Sequence, residues 1–213
     1  MTNETNIARV IHFVWLGPMP TWAWRNVSLF ADINPGWAID LRRDAAELHP
    51  SYRAAYAAAV TPQMQSAILR LDVLEREGGW YFDTDIMPLR PIADIEVTYA
   101  IGERLFAVAM AGGGVWSSYL AAGRDCIAWP VIHAILDASS RPPPQTYAAA
   151  LLTCLRQVAP QTMCIANEVD FSVTGSPAGD HELYLAAQSG APLPATSACL
   201  LHGSSGVAAV AGD

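Results

Sequence analysis

Apolar residues run almost unbroken through Val10-Ile11-His12-Phe13-Val14-Trp15-Leu16 and stop at Gly17-Pro18. A continuous apolar run closed by a turn signal predicts a buried, parallel strand. Residues 21–33 have helical character and end at Asn34-Pro35-Gly36, a turn signal. Residues 37–41 predict a second strand, and the Ala-rich stretch 50–60 a second helix. Thr61 suits an N-cap and Pro62 a first helical position. Met64, Ile68, Leu71 and Leu74 then form an apolar stripe, and Gly78-Gly79 ends it. Trp80-Tyr81-Phe82 predicts a buried strand that runs straight into Asp83-Thr84-Asp85. The order β-α-β-α-α-β favours an open α/β sheet with ligands at the carboxyl ends of its strands. Beyond Pro91, residues 106–110 predict a strand, and 129–138 and 147–158 predict helices separated by Arg141-Pro142-Pro143-Pro144. The last thirty residues read as loop with one short strand at 198–201. No composition shift marks a domain boundary, so 1–213 reads as a single domain.

Charge narrows the partners. The 213 residues include 12 basic and 20 acidic ones, a formal net charge of −8. Every basic residue is Arg, which excludes a P-loop lysine, Schiff-base chemistry and lysine general bases. The acidic balance disfavours a nucleic-acid partner, because a protein that grips a polyanion shows a basic surplus. Arg42-Arg43 reads as a solvated pair. Hydrophobic residues reach 52% and charged ones only 15%, which describes a globular chain with a sizeable core. Cys126, Cys154, Cys164 and Cys199 form no CxxC pair and read as reduced thiols, which points to the cytoplasm. The first residues lack the pattern of a signal peptide. The charge-free stretches 105–123 and 183–212 are broken by Gly, Ser and Pro and predict no membrane span.

The chemistry concentrates at Asp83 and Asp85. In an extended segment, residues two apart point the same way, and two carboxylates on one face repel unless a cation sits beside them. Oxygen donors of this kind suit Mg²⁺ or Mn²⁺. The buried strand before them argues against ordinary solvated acids.

Ser66-Ala67-Ile68-Leu69-Arg70, Leu74, Gly78 through Asp85 and Arg90-Pro91 together resemble the DXD region of a sugar-transferring glycosyltransferase family. That family includes yeast initiating mannosyltransferases, capsular polysaccharide glycosyltransferases and the large glucosylating bacterial toxins. Residues 11–17 are similar to its first strand and Asn34-Pro35-Gly36-Trp37 to its next turn. The resemblance spans residues 9–92; Trp129-Pro130-Val131-Ile132 and Leu201-His202-Gly203-Ser204 extend it thinly. It implies a GT-A fold, a Rossmann-like mixed and mostly parallel sheet flanked by helices. It also implies a UDP- or GDP-sugar donor, a divalent metal and retention of anomeric configuration, with front-face attack by the acceptor as the default.

Residue roles follow from the same resemblance. Trp15 would stack on the donor's base and Val14 would meet it through the backbone. Arg70 would touch the sugar or the diphosphate. Asp83 would hold ribose or sugar hydroxyls and a metal-bound water, and Asp85 would ligate the metal. His202 is a candidate third ligand, with Ser204 beside it for the diphosphate. Where the family carries Asp, this chain has Ala67; Gln63 shares a helix face with Ala67 and Arg70 and is the candidate substitute. His12 reads as a satisfied core histidine, and His49, His133 and His181 belong to no motif.

Two rival readings share part of this pattern. A haloacid-dehalogenase-type phosphatase also opens with DxD after an apolar strand, but it needs a lysine that this chain lacks. A non-catalytic nucleotide-sugar or carbohydrate-binding relative is favoured only by Ala67. The acceptor stays open among glycan, lipid-linked sugar, protein side chain, small molecule and hydroxylated DNA base.

Overall fold

The computed structural model describes residues 7–45, 47–110, 112–138, 147–167, 171, 177–191 and 200–202. The expected first half is present. β1 (Val10–Val14), α1 (Thr21–Ile33), β2 (Ala38–Arg42), α2 (Pro50–Ala58), α3 (Pro62–Glu77) and β3 (Gly79–Phe82) follow in the predicted order. β4 (Ile86–Pro88), α4 (Ile92–Thr98), β5 (Leu105–Ala109), β6 (Val115–Ala122), α5 (Trp129–Ala138) and α6 (Tyr147–Val158) come next. β7 (Met163–Ala166), α7 (Pro177–Gln188) and β8 (Leu200–His202) complete the described chain.

Six strands form one sheet in the order β2-β1-β3-β6-β5-β7. β1 pairs in parallel with β2 and β3, and β5 with β7. β6 runs antiparallel to both β3 and β5, so it alone opposes the rest. Strand alternation sends successive side chains to opposite faces. Ile11, Phe13, Trp80, Phe82, Phe106 and Val108 pack with Val27 and Phe30 of α1 and Ile92 and Ile95 of α4. Tyr81, Leu105, Ala107, Leu120 and Ala122 pack on the other face under α2, α3, α5 and α6. Helices therefore flank a mixed, mostly parallel sheet.

α3 forms where local signals agree. Thr61 Oγ1 accepts a hydrogen bond from Met64 N at 3.2 Å, and Pro62 opens the helix. The helix stops at Gly78, and Gly79 then adopts φ +110°. A Cβ on Gly79 would lie 2.6 Å from both the carbonyl oxygen and Cγ1 of Val10. Glycine is required there for β3 to close against β1.

Three expectations need correction. Residues 112–118, read as an interruption, include the start of β6, a central strand. The last thirty residues, read as mostly loop, begin inside helix α7, which the sequence did not announce; five of its twelve residues fall there. Thr84 and Asp85 do not extend β3. They form a turn into β4, closed by a hydrogen bond from Ile86 N to Asp83 O at 3.1 Å. No described helix is long and apolar enough to cross a membrane.

Candidate active site

Asp83 lies just past the carboxyl end of β3, where its backbone N–H donates to Ser118 O of β6 at 2.8 Å. Its side chain is a quarter exposed, while the groups that hold it are buried. Arg70 Nη2 stands 3.0 Å from Asp83 Oδ1, and Nη1 donates to Ser117 O at 2.7 Å and Ser117 Oγ at 3.1 Å. The guanidinium also lies over the Tyr81 ring, 4.8 Å from its centroid, a cation–π contact. Tyr81 Oη donates to Asp83 Oδ1 at 2.6 Å. Arg70 Nη1 also donates to Asp83 Oδ2 at 3.4 Å, so both oxygens of Asp83 face donors supplied by α3 and β3.

Electrostatics favour this arrangement in its charged form. Burial opposes the Arg70 charge, but Asp83, Tyr81 and Asp85 outweigh it and raise the guanidinium above its ordinary pKa. Burial pushes the Tyr81 phenol well up, so it donates as a neutral hydroxyl. Asp83 and Asp85 both contribute to the rise at Arg70. Arg70 Nε is buried without a hydrogen-bond partner among the described residues.

The turn itself is pinned from the opposite face. Asn26, fully buried on α1, donates from Nδ2 to Thr84 O at 2.8 Å and to Tyr184 Oη of α7 at 2.6 Å. No sequence pattern pointed to Asn26. The backbone of β8 pairs with β4 so that His202 stands opposite Ile86, directly after Asp85. The C-terminal strand is thereby brought beside the acidic turn. Ser204 lies outside the described residues.

The remaining candidates share this edge of the sheet. Val14, the last residue of β1, is buried. Trp15 continues the ladder through N–H to Arg42 O at 2.9 Å, but its ring leaves the core. The indole N–H donates to Pro18 O at 2.9 Å, and the ring meets Trp22 edge-on at 5.8 Å. Gln63 is exposed in the first turn of α3, and Ala67 below it is 4% exposed within the core. The face expected from their spacing therefore passes from an open mouth at Gln63 to a buried floor at Ala67 and Arg70.

Other expectations resolve clearly. His12 is fully buried, with Nδ1 2.8 Å from Asp40 Oδ2 and Nε2 2.8 Å from Gly78 O, a satisfied core histidine. Arg42 is not simply solvated: Nε pairs with Asp40 Oδ2 at 2.6 Å, and Nη2 reaches Glu77. Arg43 Nη2 donates to Gly17 O at 2.6 Å.

Residues 14–102 match the family described as "Glycosyltransferase sugar-binding region containing DXD motif". The match spans somewhat under half of the chain and includes the acidic turn. Among solved structures it resembles "PaToxG Glycosyltransferase" with a TM-score of 0.52 and 15% identity, covering 87% of this chain and 79% of that one. A glycosyltransferase involved in the glycosylation of the major capsid of PBCV-1 gives 0.51 and 11%, covering 91% and 92%. The galactosyltransferase LgtC, solved with donor and acceptor sugar analogs, gives 0.51 and 12%, covering 91% and 86%. These likenesses establish the GT-A fold. No curated protein sequence matches the chain.

Proposed function

We propose that this protein transfers a sugar from a UDP- or GDP-sugar to an acceptor hydroxyl, with Mn²⁺ or Mg²⁺, and with retention of anomeric configuration. The observation that carries the reading is the braced acidic turn. Arg70, Tyr81 and Ser117 fix Asp83, and Asn26 fixes the backbone that presents Asp85. Carboxylate oxygens fit a hard divalent cation. Asp83 and Asp85 would hold it, with His202 as the third ligand. When bound, such an ion stabilises negative charge developing on the departing diphosphate.

The chain's own groups supply the rest. Arg70 is a preorganised cation beside the carboxylates and stabilises diphosphate charge without reorganising. Trp15 offers an aromatic face for the donor's base, beside the Val14 backbone. Gln63 and Ser204 would contact the donor's sugar and phosphates. Acceptors in view are a glycan, a lipid-linked sugar, a protein or a hydroxylated DNA base; net charge does not favour DNA. Cys126, Cys154 and Cys164 are free, which suits the cytoplasm.

Incubation with a panel of UDP- and GDP-sugars plus Mn²⁺, following nucleoside diphosphate release, tests the proposal. Release from at least one donor is expected. If the wild type turns over none while Ala67→Asp turns over one well, the chain is a disabled relative that only binds.

A further inference from the structure

A second cluster of metal-type ligands lies on the helical face, away from the acidic turn. His49 precedes α2, Glu75 sits near the C-terminal end of α3, and His133 lies in α5. One ligand atom from each lies within 4.8 Å of the others. Glu75 follows Arg70 by five residues, about 7.5 Å along the helix axis and on a different face. The cluster is therefore separate from the Arg70–Asp83 network.

Its internal geometry is specific. His133 Nε2 stands 2.9 Å from Glu75 Oε2, and Tyr52 Oη donates to that same oxygen at 2.8 Å. The His49 and His133 rings stack with centroids 5.2 Å apart and planes 15° from parallel. His49 Nδ1 accepts from Ser51 N at 3.4 Å, and the His49 backbone N–H donates to the buried Asp72 Oδ1 at 2.7 Å. The loop is thus anchored to α3 while His49 Nε2 stays available. His49 also lines a cleft with Leu48, Pro50, Arg53 and Arg76, which gives an ion a way in. Arg76 is itself engaged by Asp72 Oδ2 at 2.9 Å.

The comparison with the other such group is instructive. His12, Asp40 and Glu77 also cluster. There both imidazole nitrogens are already taken, and Arg42 supplies the cation. At His49, Glu75 and His133 no arginine bridges the three ligands among the described residues.

The geometry points to a zinc-type site formed by His49, Glu75 and His133, with Tyr52 orienting the carboxylate. Two imidazoles and one carboxylate are a borderline-soft donor set that prefers Zn²⁺ or Co²⁺, whereas the all-oxygen pair at the acidic turn prefers Mg²⁺ or Mn²⁺. Ligand atoms around tetrahedral zinc lie about 3.3 Å apart, so binding draws the three together by a rotation of the His49 and His133 rings. The ion ties the start of α2 to α3 and α5.

Binding and stability measurements test this without reference to turnover. Full-length protein is stripped with chelator and titrated with Co²⁺, read by visible absorption, then with Zn²⁺, with bound metal counted by elemental analysis. Wild type is expected to take up Zn²⁺ with a rise in melting temperature. His133→Gln and His49→Ala lose both responses, Tyr52→Phe binds about 10- to 100-fold more weakly, and Asp85→Ala keeps them. Should His133→Gln fail to fold, His49→Ala and Tyr52→Phe carry the same comparison. No zinc uptake by the wild type, or uptake unchanged in the folded histidine variants, overturns the site.

Discussion

Arg70 Nη2 stands 3.0 Å from Asp83 Oδ1, and the same guanidinium donates to the carbonyl and hydroxyl oxygens of Ser117. One side chain from α3 thereby ties the end of β3 to β6. A planar fork with several donors does this; an ammonium does not. Arg70→Lys should fold but lower kcat/KM on the order of 10²-fold, the scale of losing one preorganised donor. Steady-state kinetics beside a thermal melt decide it: unchanged kcat/KM in a folded variant would remove Arg70 from the site.

Trp15 is expected to act as a base platform because its ring leaves the core and meets Trp22 edge-on. Stacking on a base is worth about 1–3 kcal/mol, so Trp15→Ala should weaken nucleoside diphosphate binding about 5- to 150-fold. Calorimetric titration measures this. Unchanged affinity with a collapsed melting temperature would make the residue a packing element instead.

Asp40 predicts an acid-sensitive fold. Burial opposes its ionisation, but hydrogen bonds and charge from His12 and Arg42 prevail and hold the carboxyl below its ordinary value. A depressed folded pKa stabilises the native state above the unfolded pKa of about 4, and that stability is lost as pH falls through the folded value. Asp40→Asn should therefore be less stable than wild type near neutrality, with the gap closing below about pH 4. Melting temperatures across pH 3–7 test this, and a gap that stays constant would count against the assignment.

Gly79 should tolerate no side chain. Its φ of +110° and the 2.6 Å approach of Val10 predict that Gly79→Ala costs about 2–4 kcal/mol from overlap and strain together. Gly112, with open space around it, serves as control: Gly112→Ala should change stability by less than about 1 kcal/mol. Urea denaturation compares the two.

The first half of the chain was legible because its signals are local. Thr61, Pro62 and Gly78 bound α3, and continuous apolar runs announce β1 and β3. β6 was hidden by its two serines. Ser117 and Ser118 look like breaks in an apolar stretch, yet they accept hydrogen bonds from Arg70 and Asp83, a long-range demand that no window contains. Asn26 was missed for the same reason: its partners, Thr84 and Tyr184, lie 58 and 158 residues away. His49 and His133 meet only because α2 and α5 pack together. The acidic turn shows the opposite error. Its two carboxylates flank a turn, so alternation along an extended strand does not relate them. His202 was placed by a short motif, and strand pairing to Ile86 brings its backbone there.

The central claim is that Asp85 ligates a divalent ion required for transfer. Its most direct test is nucleotide-sugar turnover by wild type and Asp85→Ala after chelator treatment, with Mn²⁺ added back over a range of concentrations. The account predicts that wild-type activity vanishes on stripping and returns with Mn²⁺. Asp85→Ala should stay on the order of 10³-fold slower at every Mn²⁺ concentration, as expected when several kcal/mol of transition-state stabilisation is lost. Turnover by the variant within a few-fold of wild type, or full activity of stripped wild type, would contradict it.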